Sequence, residues 1–217
     1  MITDERTATY IESLSGGNTD FLDEIEKEAL KNGVPVIRPA TQSMLKYLLA
    51  SNKPKSILEI GAAVGFSALL MATYGSQDVK ITTIENYEKR IVVAKENIAK
   101  SEYSDNIELI CGDAMEVLNE LKDKKNRYDM IFVDAAKGQY INYLPLVKEM
   151  LNKGGLLVSD NVLFDGDIVQ SRFAVRRRDR TIHSRMREFL RTLSEDKDMV
   201  TTILPIGDGM TLSIKEV

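Results

Sequence analysis

Two short apolar runs end in side chains able to hold a cation. Ile131-Phe132-Val133 leads into Asp134, with Lys137 three residues on, and Leu156-Leu157-Val158-Ser159 leads into Asp160-Asn161. Neighbouring strands of an open α/β sheet bring their carboxyl ends to one crevice, where such sheets bind ligands. Two carboxylates and one amide oxygen there form an all-oxygen donor set suited to Mg²⁺, with Mn²⁺ or Ca²⁺ able to take its place. Aspartate and asparagine are also common turn residues, so any one of the three alone would mean little. Together, beside a lysine, they read as a cation site in which a divalent ion can acidify a bound group and a lysine can act as a base.

A second constellation lies upstream. Ser56-Ile57-Leu58-Glu59-Ile60 reads as a buried strand, stopped by Gly61, and Gly65 allows a tight turn before a helix at Phe66. Strand, glycine turn and helix N-terminus build a nucleotide site. Thr82-Thr83-Ile84 ends in Glu85, 24 residues after Gly61, where an acid can take both hydroxyls of a ribose. A dinucleotide-binding oxidoreductase is the rival reading. It needs G-x-G-x-x-G, and Gly61-Ala62-Ala63-Val64-Gly65 lacks the middle glycine that admits a pyrophosphate. Gly112-Asp113-Ala114 follows a third strand; Asp113 can cap the next helix, face the crevice, or do both.

Leu58-Glu59-Ile60-Gly61 with a strand-terminal Glu85 resembles the first two motifs of the Rossmann-like, class I S-adenosylmethionine-dependent methyltransferases. Val133-Asp134-Ala135-Ala136-Lys137 and Asp160-Asn161 narrow the resemblance to the divalent-metal-dependent O-methyltransferases of the catechol and caffeoyl-CoA type, and it covers nearly the whole chain. The resemblance implies S-adenosylmethionine bound through Glu59, Gly61, Ser67, Glu85, Asp113, Ala114 and Asp134, with Val36 closing over the methionine end. It implies Mg²⁺ on Asp134, Asp160 and Asn161, with Asp134 and Lys137 carrying the catalysis, and a homodimer joined by the N-terminal helices.

The elements that must position these residues alternate. Strands are expected near 56–60, 79–85, 107–111, 128–134 and 155–159, with helices over 66–74, 87–101, 114–123 and 139–152. That alternation means a mostly parallel sheet with helices on both faces. Gly207-Asp208-Gly209 joins two last strands, 199–205 and 209–215, as an antiparallel hairpin, making seven strands. Ahead of the sheet, residues 3–32 read as two amphipathic helices broken at 15–18, then an extended connector Gly33–Pro39 and a helix over 41–50. The 217 residues make one domain, with 1–52 as its helical N-terminal part. No run approaches the ~20 apolar residues of a membrane span, and the N-terminus reads as no signal peptide, so a cytoplasmic protein is expected. The single cysteine, Cys111, excludes an internal disulfide and is expected to be buried in its strand; the single histidine, His183, argues against histidine-based metal sites and catalysis.

One stretch departs from the rest. Residues 172–191 hold eight arginines, no lysine and only two acids, +6 against −10 for the remainder of a chain of net charge −4. A charge run is usually a solvated face, yet arginine is favoured for phosphate forks and base stacking, and this run follows directly on Asp160-Asn161. The segment 163–195, with Val175-Arg176-Arg177-Arg178 and Thr181 through Leu190, resembles the tRNA 5-hydroxyuridine methyltransferases of bacteria, a branch of the same metal-dependent family. That implies a tRNA anticodon stem-loop as partner, bound by Arg172, Arg176, Arg177, Arg178, Arg180 and Arg185, and 5-methoxyuridine at the wobble position as product. The 5-hydroxyl and O4 of hydroxyuridine are adjacent oxygens, as in a catechol, so a small catechol, phenol or caffeoyl-CoA-like substrate is the alternative. A non-catalytic RNA-binding module would have no use for the Asp134, Lys137, Asp160 and Asn161 set.

Overall fold

The computed structural model describes residues 4–216; Thr3, where the first expected helix begins, lies outside the described residues. Three helices come first: α1 (Glu5–Leu14), capped by Asp4; α2 (Asp20–Lys31), capped by the Thr19 hydroxyl; and α3 (Pro39–Asn52). Helix α3 begins two residues earlier than expected. Pro39 occupies its first turn, where the missing N–H costs nothing and the fixed φ suits a helix, with Arg38 as the extended N-cap.

Strand and helix then alternate: β1 (Ser56–Ile60), α4 (Phe66–Tyr74), β2 (Lys80–Glu85), α5 (Glu88–Lys100), β3 (Ile107–Cys111), α6 (Ala114–Asp123), β4 (Tyr128–Val133), α7 (Tyr140–Met150), β5 (Leu151–Ser159), α8 (Arg180–Glu195), β6 (Met199–Leu204) and β7 (Met210–Lys215). The sheet order is β3-β2-β1-β4-β5-β7-β6, with β1 to β5 parallel and β7 antiparallel to both β5 and β6. This is the expected Rossmann-like methyltransferase sheet. One core, with Leu45, Leu69 and Ile98, packs α2 to α5 on one face; the other, with Leu118, Tyr143 and Phe189, packs α6 to α8 on the opposite face. Burial on both faces is why β4 reads as a continuous apolar run over 130–133 rather than an alternating one.

Two expectations need correction. Helix α7 stops at Met150 and β5 starts at Leu151, not near 155, because Leu151 pairs with Tyr128 before the register shifts. Cys111 is exposed, not buried: it ends β3, the edge strand, where no further strand covers it. No helix among the described residues is long and apolar enough to cross a membrane.

Candidate active site

The strand order reverses between β1 and β4, with β2 and β3 to one side and β5 to the other. The loops diverge there, and a cavity of about 640 Å³ opens at the carboxyl ends of all five parallel strands. Nine of the expected residues line it: Val36, Gly61, Glu85, Asp113, Ala114, Asp134, Lys137, Asp160 and Asn161.

The Glu85 side is built from backbone N–H groups. Glu85 Oε1 accepts from the N–H of Asn86 and Tyr87 (2.9 Å each), and Oε2 accepts from Ala63 N–H (2.8 Å). Three main-chain donors thus fix the carboxylate before any ligand arrives. Gly61 has φ +106°, and a Cβ there would overlap the main-chain carbonyl of Asp134. The glycine is therefore required by the close crossing of the β1 and β4 ends. Asp113 both caps α6, accepting Met115 N–H at 2.9 Å, and faces the cavity, so its two readings coexist.

Glu59 and Ser67 are placed differently. Neither lines the cavity; Glu59 is fully buried and takes hydrogen bonds from Thr83 and Ser67 inside the layer between β1, β2 and α4. Burial pushes its carboxyl up to about 7, against the lowering effect of those hydrogen bonds.

On the other side, Asn161 joins the two acids. Its Nδ2 donates to Asp134 Oδ1 (2.8 Å) and its backbone N–H donates to Asp160 Oδ1 (2.8 Å). Asn161 holds φ +62°, a left-handed conformation that asparagine tolerates better than most residues. Asp160 is 3% exposed; burial pushes its carboxyl up to about 7, and the charge of Asp134 adds to the rise. Burial raises Asp134 as well, opposed by the Asn161 hydrogen bond and by the charge of Lys137. A buried carboxylate raised further by the charge of a half-buried one beside it fits a divalent cation, which would compensate both. Among the described residues no three His, Cys, Asp or Glu side chains gather as a ligand group, so the set needs the amide oxygen of Asn161. The Lys137 ammonium stands at the rim of this set, 4.8 Å from the centre of the Phe164 ring.

Several residues that shape the site carried no signal in the sequence. Thr41, from the first turn of α3, donates to Asp160 Oδ1 at 3.4 Å. Arg38 reaches Asp208 at 2.7 Å, tying the connector before α3 to the turn before β7. That turn also accepts the N–H groups of Val162 and Leu163 on the carbonyls of Gly209 and Asp208 (2.9 Å each), fixing the chain just after Asn161. Tyr140 is buried, and its hydroxyl lies 3.2 Å from Val133 O, 3.1 Å from Asp160 O and 3.3 Å from Ala135 N. It clasps the ends of β4 and β5, and its ring packs edge-on against Phe189 of α8. Gly207-Asp208-Gly209 had shown itself only as a turn, and Tyr140 only as a helix residue.

The arginines divide into two groups. Arg180 donates to Val175 O and Phe173 O, Arg185 to Gly138 O, and Arg187 to Ile168 O, all within 3.1–3.3 Å. These three pin the loop after Asn161, and the Lys137 turn, onto α8. Arg172, Arg176 and Arg177 are exposed, and their side chains make no hydrogen bond or ion pair with another described residue; Arg178 is exposed beside Asp179.

Comparison with known proteins fits this geometry. The sequence profile of an O-methyltransferase family matches residues 12–216. Caffeoyl-CoA O-methyltransferase 5 of Nicotiana tabacum is 36% identical over 176 residues, 77% of this chain and 72% of that one. A crystal structure from Staphylococcus aureus, described as a putative caffeoyl-CoA O-methyltransferase, superposes with a TM-score of 0.89 at 31% identity, covering 97% of this chain and all of that one. The S-adenosylhomocysteine-bound methyltransferase PaMTH1 of Podospora anserina superposes at 0.85 and 28% identity, over 98% and 95% of the two chains. A crevice with a backbone-held acid on one side and two carboxylates on the other, at the strand ends of this sheet, belongs with them: the chain is a member of the S-adenosylmethionine-dependent O-methyltransferase family.

Proposed function

We propose that the enzyme methylates the 5-hydroxyl of 5-hydroxyuridine at the wobble position of tRNA, giving 5-methoxyuridine, with Mg²⁺ held by Asp134, Asp160 and Asn161. The observation that carries the choice of substrate is the set of exposed arginines, Arg172, Arg176 and Arg177, on the loop that follows Asn161 out of the crevice. When bound, the cation would acidify a hydroxyl on it and favour a substrate with two adjacent oxygens. The chain's own residues do the rest. Glu85 and Asp113 hold the nucleoside end of the methyl donor, with Val36 over its methionine end. Lys137, next to Asp134, takes the hydroxyl proton. The oxygen then bonds to the methyl carbon as the carbon–sulfur bond breaks, and the sulfonium leaves as a neutral thioether. Most of the acceleration comes from holding oxygen and methyl in line at contact distance.

A small catechol or a caffeoyl-CoA-like ester is the second reading. The likeness to the tobacco enzyme favours it, and the arginines would then meet the phosphates of coenzyme A. We place the enzyme in the cytoplasm, with its tRNA substrate, and propose a homodimer through the N-terminal helices; Tyr10, Ile11 and Leu14 of α1 are exposed in the single chain. Nucleoside mass analysis of tRNA from cells lacking the protein tests the substrate. Loss of 5-methoxyuridine with build-up of 5-hydroxyuridine is expected; an unchanged profile moves the reading to the small phenolic substrate.

A further inference from the structure

The loop between Asn161 and α8 is held firmly, yet it exposes an aromatic ring. Its carbonyls are taken by α8 side chains: Ile168 by Arg187, Gln170 by buried His183 at 3.2 Å, and Phe173 and Val175 by Arg180. Ile168 and Val175 anchor it in the core at 5% and 4% exposure. Between these anchors Phe173 is 81% exposed. A loop pinned at this many points could turn a phenylalanine inward, and exposing the ring forgoes the stabilisation of burying it. The Arg180 guanidinium lies over one face of the ring, 5.8 Å from its centre, while the same side chain binds the Phe173 carbonyl. The ring is thereby oriented, with its other face open. Arg172 precedes Phe173 in this loop and Arg176 and Arg177 follow it, their side chains exposed and unpaired. The surface adjoins the reaction centre: Phe164, at the start of the loop, lies against Lys137, and Arg185 binds the Gly138 carbonyl next to it.

We propose that Phe173 is a stacking platform for an unpaired nucleobase of the RNA substrate, next to the nucleotide that enters the crevice. The inference rests on the tRNA reading and adds how the loop is recognised. A flat apolar face set among unpaired cations suits a ligand that carries flat rings and phosphates together. Single-stranded nucleic acid is such a ligand: unstacked bases pair with aromatic faces while arginines track the backbone. Arg180 behind the ring makes it more electron-poor and holds it in place.

The test uses the full-length protein, an anticodon stem-loop RNA bearing 5-hydroxyuridine, and pyrocatechol as a second acceptor. Phe173→Ala and Phe173→Leu should weaken binding of the stem-loop, and raise its KM, by roughly five- to a hundredfold, the range of one lost base–aromatic stack. Phe173→Trp should restore both. Turnover of pyrocatechol should be unchanged in all three. A 2-aminopurine beside the wobble position should change fluorescence on binding wild type, and not on binding Phe173→Ala. Unaltered RNA binding by a folded Phe173→Ala overturns the inference, and equal loss on pyrocatechol overturns it too, by making Phe173 a wall of the small-molecule pocket. Binding that depends on Phe173 without methyl transfer to the RNA upholds the platform while removing the proposed acceptor. No RNA binding by wild type removes both.

Discussion

The crevice and the arginine rim present polar side chains in opposite ways. In the crevice the acids are held before a ligand arrives: three backbone N–H groups hold Glu85, and one asparagine bridges Asp134 and Asp160. On the rim, Arg180, Arg185 and Arg187 are used internally, and Arg172, Arg176 and Arg177 are left facing solvent. Chemistry needs groups fixed to a fraction of an ångström, whereas a polyanion can be gathered by charges that adjust on contact. The same fold thus separates the part that reacts from the part that selects, and mutations should separate them too.

The largest effect is expected in the crevice. Asp160→Ala removes the more deeply buried of the two carboxylates and should cost about a thousandfold or more in methyl transfer, as loss of several kcal/mol of metal-ion catalysis would. EDTA should do the same to wild type. Both losses should appear equally with stem-loop RNA and with pyrocatechol, while circular dichroism shows a folded protein. Full turnover in metal-free buffer would mean these residues only shape the turn.

Next comes the rim, where substrates should part company. Arg172→Gln, Arg176→Gln and Arg177→Gln together should raise the KM for tRNA by about ten- to a hundredfold and cut the salt slope of binding by roughly two, at ~0.7–0.9 per phosphate contact. Pyrocatechol turnover should hold. The matching set Arg180→Gln, Arg185→Gln and Arg187→Gln should instead loosen the loop, costing up to about 1 kcal/mol per hydrogen bond, and open it to protease. If both sets behave alike, the division between anchoring and contacting arginines is wrong.

These two regions were unequally legible in the sequence. Strand ends announced themselves, because apolar runs buried on both faces stop abruptly at Gly61, Glu85, Asp134 and Asp160, and a parallel sheet brings such ends together. What the sequence could not show were partners contributed from far along the chain. Thr41 meets Asp160 across 119 positions, and Arg38 meets Asp208 from the far end of the chain. Nor could local pattern tell that Glu59 and Ser67 turn toward each other and away from the cavity, since alternation along β1 gives the side of the sheet but not what lies on it. The arginine run was plain as composition, but its split into two groups depends on which carbonyls lie within reach of α8.

A smaller effect should come from Tyr140→Phe. It deletes one hydroxyl that clasps Val133 and Asp160 carbonyls, leaving the ring and its packing on Phe189 intact. The strand ends should then position Asp134 and Asp160 less well. Metal affinity should fall about tenfold, as for loss of other groups that orient metal ligands. Titration of activity with Mg²⁺ would read this as a higher half-saturating concentration with little change at saturation. A lower plateau at saturating Mg²⁺ would instead give Tyr140 a part in the transfer step.

The smallest effect on rate, and the sharpest on stability, concerns Glu59. It lies outside the cavity, fully buried, with its carboxyl raised from 4.5 to about 7. The folded state therefore holds a proton that the unfolded chain releases between those two values. Where the folded state binds more protons, stability falls as pH rises. The contribution from Glu59 should thus be best below pH 4.5, decline through the window up to about 7, and stay low above it. The span is about 3 to 4 kcal/mol, taking each pKa unit as roughly 1.4 kcal/mol. Glu59→Gln keeps the shape but cannot ionise, so it lacks this slope. Urea unfolding of both proteins at pH 5.5 and 8 is the check: relative to wild type, the variant should fare better at pH 8 than at pH 5.5. Saturating Mg²⁺ should reduce the difference only in part, since burial outweighs the charge of Asp134 in raising Glu59. A constant offset between the two proteins at both pH values would show that Glu59 is ionised throughout, its burial offset by Ser67 and Thr83 alone.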